Sequence, residues 1–304
     1  MRYTLHLYLS SLALALSSHG MSSAEPSVQQ ATHTEKISTT KDTALSKHIT
    51  FSQQPTRVGD RVVQRVGMEL ELRTVIEQAG QVASDSKTAM RSRQEREIEV
   101  LEVTGGQALR AKVFYPLARQ MSPENPQPDQ ESAQVVEGKS YMIVRDQDQL
   151  IITDSAGAIP TREEFEVVLK SMENFGKPNP LAEFLLARQI QIGDTLNVPL
   201  EIAADMMGFS KMGDVRKFEL RLDELRTADG RECAVFTARI ATAGNSEAPL
   251  HVVATGSVAI EIATSRTIEA TLKGPVTMAL TENGIGYRSS GELLMAVHSY
   301  YPSR

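Results

Sequence analysis

The chain has 304 residues, 41% of them hydrophobic, with 32 basic side chains against 38 acidic ones and a formal charge of −6. That balance gives no support to nucleic-acid binding, where a basic face supplies most of the affinity. A single cysteine, Cys233, excludes an internal disulfide framework, so the fold must rest on its core, and about 250 folded residues can bury one or two.

In chain order, Arg2 precedes an apolar run between Leu5 and Leu16, and Ser22-Ser23-Ala24 closes it with small residues. This is the pattern of a secretory signal peptide over residues 1–24. His6, Tyr8, Ser10 and Ser11 interrupt the run, which falls short of the roughly 20 apolar residues of a membrane span. A retained anchor is therefore the weaker reading, and no transmembrane segment is expected in the mature chain. No cysteine stands at the cleavage point, which excludes lipidation there. The expected product is exported, periplasmic or secreted and not lipid-anchored. An exported chain without paired cysteines fits a bacterial envelope better than an animal extracellular domain.

Residues 25–50 are Ser, Thr, Gln, Lys and Glu with almost nothing apolar, a disordered polar leader in which His33 and His48 have no assigned role. A first antiparallel strand set is expected over 51–160. Met68, Leu70 and Leu72 alternate with Glu69, Glu71 and Arg73, which puts three apolar side chains on one face and three charges on the other. Ser84 and Lys87 lie in a polar connection. Residues 97–103 meet 108–115 across Gly105-Gly106 in a hairpin, and a phase shift between Val100 and Leu101 marks a bulge or burial on both faces. Pro123, Pro126 and Pro128 make 122–134 a surface loop. A short hairpin follows around Asp146-Gln147-Asp148.

A helical segment is expected over 161–210. Thr161 and Glu164 form a capping-box pattern before the stripe Phe165, Val168, Leu169 and Met172, and Gly176 ends the helix. Pro180 opens a second helix to about residue 188, with Leu181, Phe184 and Leu185 inward, and a third short turn covers 200–207. A second antiparallel strand set fills 211–304. Phe218, Leu220 and Leu222 alternate with charged residues before the Asp229-Gly230 turn. Val258, Ile260 and Ile262 lead into Ile268, Ala270 and Leu272; Val276, Met278 and Leu280 follow, and Asn283-Gly284 turns into a final strand. The fold class is thus mainly β (α+β): a curved antiparallel sheet built from hairpins, with two or three short helices on one face. Arg57-Val58-Gly59-Asp60 and Gln189-Ile190-Gly193-Asp194 open the two strand sets in similar ways, which raises the alternative of two related lobes.

Chemistry is hard to place on this chain. His251 and His298 have no metal-ligand spacing and read as ordinary strand histidines. Ser84 and Lys87 lack the partner motifs of serine enzymes. Cys233 sits in an apolar strand and reads as a small buried hydrophobe. Glu95, Glu97, Glu99 and Glu102 read as a solvated strand face, and Glu163, Glu164 and Glu166 as a favourable helix N-terminus. Asp146 and Asp148 are too few for a calcium loop, and no phosphate-binding glycine loop is present. No catalytic residue, metal or cofactor is assigned.

Met206, Met207, Phe209 and Met212 crowd seven positions. Core filling is the commonest role of such a cluster, ahead of an apolar pocket and of soft copper. The candidate pocket residues are Phe165, Leu169, Met172, Phe184, Met206, Met207 and Phe209. The expected function is that of an exported, non-catalytic envelope protein binding an apolar molecule between sheet and helices. Envelope lipid-carrier and lipoprotein-chaperone proteins share this layout, but no motif identifies the family. An envelope assembly or surface-interaction protein with a filled core, docking a partner through exposed strand edges or the 122–134 loop, is the alternative, and a hydrolase built from scattered carboxylates ranks below both.

Overall fold

A computed structural model describes residues 48–121, 130–207, 214–244 and 250–302, the last three of the second stretch by backbone alone. The expected signal peptide and nearly all of the polar leader lie outside them. Fourteen strands and three helices are formed by the described residues. One open antiparallel sheet carries almost all the strands and is curled rather than closed.

The first strand set contains β2 (Arg61–Gln78), β3 (Gln81–Thr104), β4 (Gln107–Met121), β5 (Ser132–Ala133), β6 (Ser140–Asp146) and β7 (Gln149–Asp154). The second contains β9 (Thr195–Asn197), β10 (Asp214–Ala228), β11 (Arg231–Ala243), β12 (Leu250–Glu261), β13 (Thr267–Glu282) and β14 (Ile285–Tyr300). In space the order runs β7-β6-β4-β3-β2-β14-β13-β12-β11-β10-β9, so the two sets meet where β2 pairs with β14. Along that seam Val66 faces Val297, Met68 faces Met295 and Leu70 faces Leu293. Period-two alternation puts all six on the inner face, with Arg65, Glu69 and Glu71 outside. A separate two-residue ladder joins β1 (Ile49–Thr50) to β8 (Gln189–Ile190).

The polar stretch around Ser84 and Lys87 is not a connection. It is the outgoing strand of an unusually long hairpin, and Ala79-Gly80 make the turn with φ of 52° and 78°. Outside, charges pair across it: Arg73 with Asp85, Arg91 with Glu69, Arg65 with Glu95 and Arg61 with Glu99. The segments read as separate strands around Leu272 and Val276 are one strand, β13. Its Pro275 lacks an N–H and falls where the β12 pairing skips from Val252–Val276 to Thr255–Lys273.

Three glycines on adjacent strands let the sheet curl. A Cβ on Gly256, Gly274 or Gly291 would stand 1.7 to 2.0 Å from a carbonyl oxygen of the next strand. Backbones approach there too closely for any side chain.

The turns that open β2 and β9 share one geometry. Asp60 Oδ2 accepts from Arg57 N at 2.9 Å and Asp194 Oδ2 accepts from Gln191 N at 2.8 Å. Gly59 N donates to Val100 O and Gly193 N to Leu222 O, while Val100 N and Leu222 N donate back to Asp60 O and Asp194 O. Arg57 therefore corresponds to Gln191, two residues beyond the position the sequence comparison aligns with it.

Candidate functional site

The helices divide the inner face. Helix α1 (Arg162–Met172) starts at Thr161, whose hydroxyl accepts from Glu164 N while the Glu164 carboxylate accepts from Thr161 N, a complete capping box. It lies over β4, β6 and β7 in a cluster of Val113, Tyr115, Tyr141, Ile143, Ile152 and Val168. Tyr115 and Tyr141 meet edge-on there, with ring centroids 6.0 Å apart. Helix α2 (Pro180–Leu186) is capped by Asn179, and helix α3 (Leu200–Met207) follows. Leu181, Phe184, Leu185 and Ala203 from this pair join β1, β8 and β10 to β14 in the largest cluster. Phe51 stacks on Phe236 in it at 6.2 Å.

The sequence-derived pocket residues separate accordingly. Phe165, Leu169 and Met172 belong to the α1 cluster and Phe184 to the other. Met206 and Met207 end α3, where only the backbone is described, and Phe209 and Met212 lie outside the described residues. Three of the seven lie together on α1; Phe184 is on α2.

Beside the larger cluster, with Val66 and Met68 packed against its edge, runs a strip of the inner face that is only half-buried. In register across β2 and β3, Val66 faces Gln94 and Met68 faces Ser92; across β3 and β4, Ser92 faces Gln120. All five are half-buried, whereas the flanking Leu70, Met90, Met295, Val297 and Ala118 are buried. The strip is thus apolar on its β2 side and amide- and hydroxyl-bearing on its β3–β4 side. Gln134 Nε2 donates to Gln120 Oε1 at 2.8 Å on that polar bank.

At one end of the strip, two residue pairs beyond Val66 and Gln94 and so next on the same face, Gln64 faces Arg96. Arg96 is 1% exposed. Its Nε donates to Gln64 Oε1 at 2.7 Å, Nη2 donates to the same oxygen, and Nη1 donates to Ser171 O in the last turn of α1. Gln64 Nε2 passes the chain on to Ser299 Oγ at 3.2 Å, and the Ser171 hydroxyl meets Tyr115 OH. Burial lowers the Arg96 guanidinium to about 10, which leaves it charged at neutral pH. The same burial raises the Tyr115 phenol. The sequence carries a signal for Arg96: strict alternation puts it in phase with the apolar Ile98, opposite the solvated Glu95 and Glu97.

The ends of α1 are held by charge. Lys139 Nζ donates to Glu164 Oε1, and Tyr141 OH donates to the same oxygen at 3.2 Å. The hydrogen bond from Lys139, with those of Thr161, holds the Glu164 carboxyl down at about 2. At the other end Arg145 Nε donates to Phe175 O at 2.8 Å and Nη2 to Glu173 O at 2.6 Å, a cation on the carbonyl end of a helix dipole.

The remaining titratable candidates do not converge on the strip. His298 Nε2 stands 3.2 Å from Asp229 Oδ2, and His251 is exposed on β12. Cys233 is buried, which raises its thiol. Among the described residues no three or more His, Cys, Asp and Glu side chains gather as a metal cage, and no helix is long and apolar enough to cross a membrane.

No family model matches the chain, and no curated protein matches it. Among solved structures, a lipovitellin studied for its lipid–protein interactions aligns at 11% identity and a TM-score of 0.36, over 82% of this chain and 26% of that one. The chain thus spans about a quarter of the lipovitellin it matches. A LolA-superfamily protein from Nitrosomonas europaea aligns at 6% identity and a TM-score of 0.14, over 77% of this chain and 84% of that one. The attachment invasion locus protein Ail of Yersinia pestis, in complex with the heparin analogue sucrose octasulfate, aligns at 5% identity and a TM-score of 0.14, over 80% of this chain and 100% of its own.

Proposed function

We propose that the chain is an exported, non-catalytic envelope protein that holds an apolar molecule on the half-buried strip of its inner face. The supporting observation is the half-exposure of Val66 and Met68 at the centre of an inner face whose neighbouring apolar side chains are buried. Apolar area left open inside a curved, walled surface is where an apolar ligand gains the most from leaving water. The outer face favours the same side for binding, since its charges are paired across the strands and it offers an aqueous surface. Export rests on the leader over 1–24, and cleavage after Ala24 gives a mature N-terminus that mass spectrometry of the exported protein can read.

Organic extraction of protein purified from its native compartment is the test. A stoichiometric lipid or other apolar molecule in the extract is the expected result. A ligand-free protein that also takes up no fluorescent fatty acid would remove the carrier role.

A second reading, docking of an envelope protein, draws on the outermost strand β7, where Ile151 is 49% exposed and the outer edge pairs with no strand among the described residues. Crosslinking in intact cells separates the two. A reproducible protein partner with no extractable ligand favours docking.

A further inference from the structure

We propose that the molecule held on the strip carries a carboxylate, and that Arg96 is the group that receives it; this rests on the carrier reading above. Arg96 is a fully buried cation whose observed acceptors, Gln64 Oε1 and Ser171 O, are both neutral. No carboxylate of the described residues stands within ion-pair distance of it, although this sheet pairs Arg61, Arg65, Arg73 and Arg91 with acids on its other face. A buried charge without a counter-charge is costly, and the carbonyl end of α1 offsets only part of that cost.

Position fits the role. A guanidinium has five N–H donors in a planar fork, and three are engaged here. Arg96 stands on β3 directly beyond Gln94 and Ser92 on the inner face, so it closes the polar bank of the strip at one end. A carboxylate reaching that end would find a cation able to give two parallel hydrogen bonds, the strong geometry for this pair. Gln94 and Ser92 supply further polar contacts beside it, while Val66 and Met68 take the hydrocarbon. A single-chain fatty acid has this division of chemistry; its alcohol has the same chain and lacks the charge.

Equilibrium binding of palmitic acid and of hexadecanol to the full chain at neutral pH tests the assignment. The acid should bind about tenfold tighter or more, the scale of a charge-assisted hydrogen bond. Arg96→Gln should bring the acid down to the level of the alcohol, and Arg96→Lys, which keeps the charge but not the fork, should restore part of the preference. Equal affinities in the unmodified protein would overturn the carboxylate assignment and leave the carrier reading intact. Binding of neither would overturn both, and a preference that survives in Arg96→Gln would overturn the role of Arg96. The comparison in the unmodified protein stands whether or not a variant folds.

Discussion

The two banks of the inner face are held down by different forces. Helix α1 is fixed by directional polar contacts at both ends, Lys139 and Tyr141 on Glu164 at its start and Arg96 and Arg145 on backbone carbonyls at its finish. Helix α2 buries Leu181, Phe184 and Leu185, and its polar support comes from its own segment: the Asn179 cap at its start and Arg188, whose Nη1 donates to Phe184 O at 2.6 Å, at its finish. Hydrogen bonds define a position to a few tenths of an ångström, whereas apolar contacts tolerate sliding and repacking. The α1 bank, tied to neighbouring strands at both ends, is therefore the fixed wall of the strip, and the α2–α3 bank is the more adaptable one.

The comparison can be broken at the floor that both banks share. Gly291→Ala puts a methyl group into the Glu71 carbonyl at 1.7 Å, and the Glu71–Leu72 backbone it meets has no side-chain freedom to give way. A loss of about 3 kcal/mol or more is expected, or failure to fold, read by chemical denaturation and by the yield of soluble protein. Removing apolar contact from the adaptable bank comes next. Leu185 is fully buried, and Leu185→Ala should cost about 2 to 5 kcal/mol in the same denaturation experiment.

A smaller effect is expected at the fixed bank. Glu164→Gln loses the charge that Lys139 and the Thr161 backbone recognise, for about 1 to 2 kcal/mol at neutral pH. Its sign with pH is set by the lowered carboxyl. Stability from Glu164 is fully present above the ordinary value of 4.5 and is lost as the pH falls toward about 2. The gap between the unmodified protein and Glu164→Gln should therefore be constant near neutrality and close over that acid interval. Smallest of all is the outer face. Arg73→Ala breaks an exposed ion pair with Asp85 and should leave the denaturation midpoint unmoved. A large loss there would mean that the outer charges hold the long hairpin together.

What could be read from the residues divides along similar lines. Hairpins with strong local turn chemistry were legible: Gly105-Gly106, Asp229-Gly230 and Asn283-Gly284 all turn the chain with positive φ. So were the first two helices, whose starts at Thr161 and Pro180 carry capping signals, while the third was legible only as a short turn. The β2–β3 hairpin was not. Its turn uses Ala79 at φ 52°, where an asparagine or aspartate would have announced it, and the first seven residues of β3 are exposed on both faces. The pairing of β2 with β14 joins residues more than two hundred positions apart, which no local pattern encodes. The composite of Val66, Met68, Ser92 and Gln94 follows from the register of that same β2–β3 hairpin, so it was out of reach while the turn at Ala79-Gly80 went unread. The methionine cluster drew notice because it is contiguous in sequence, while Arg96 announces itself only once alternation is followed strand by strand.

Fluorescent fatty acid titration of the unmodified protein beside Met68→Glu tests the carrier claim most directly. Met68 is half-buried at the centre of the strip, so a carboxylate there should leave far-ultraviolet circular dichroism unchanged. Saturable, stoichiometric binding to the unmodified protein, weakened about tenfold or more by the substitution, is the expected outcome. No binding to the unmodified protein, or equal binding to both, would contradict it.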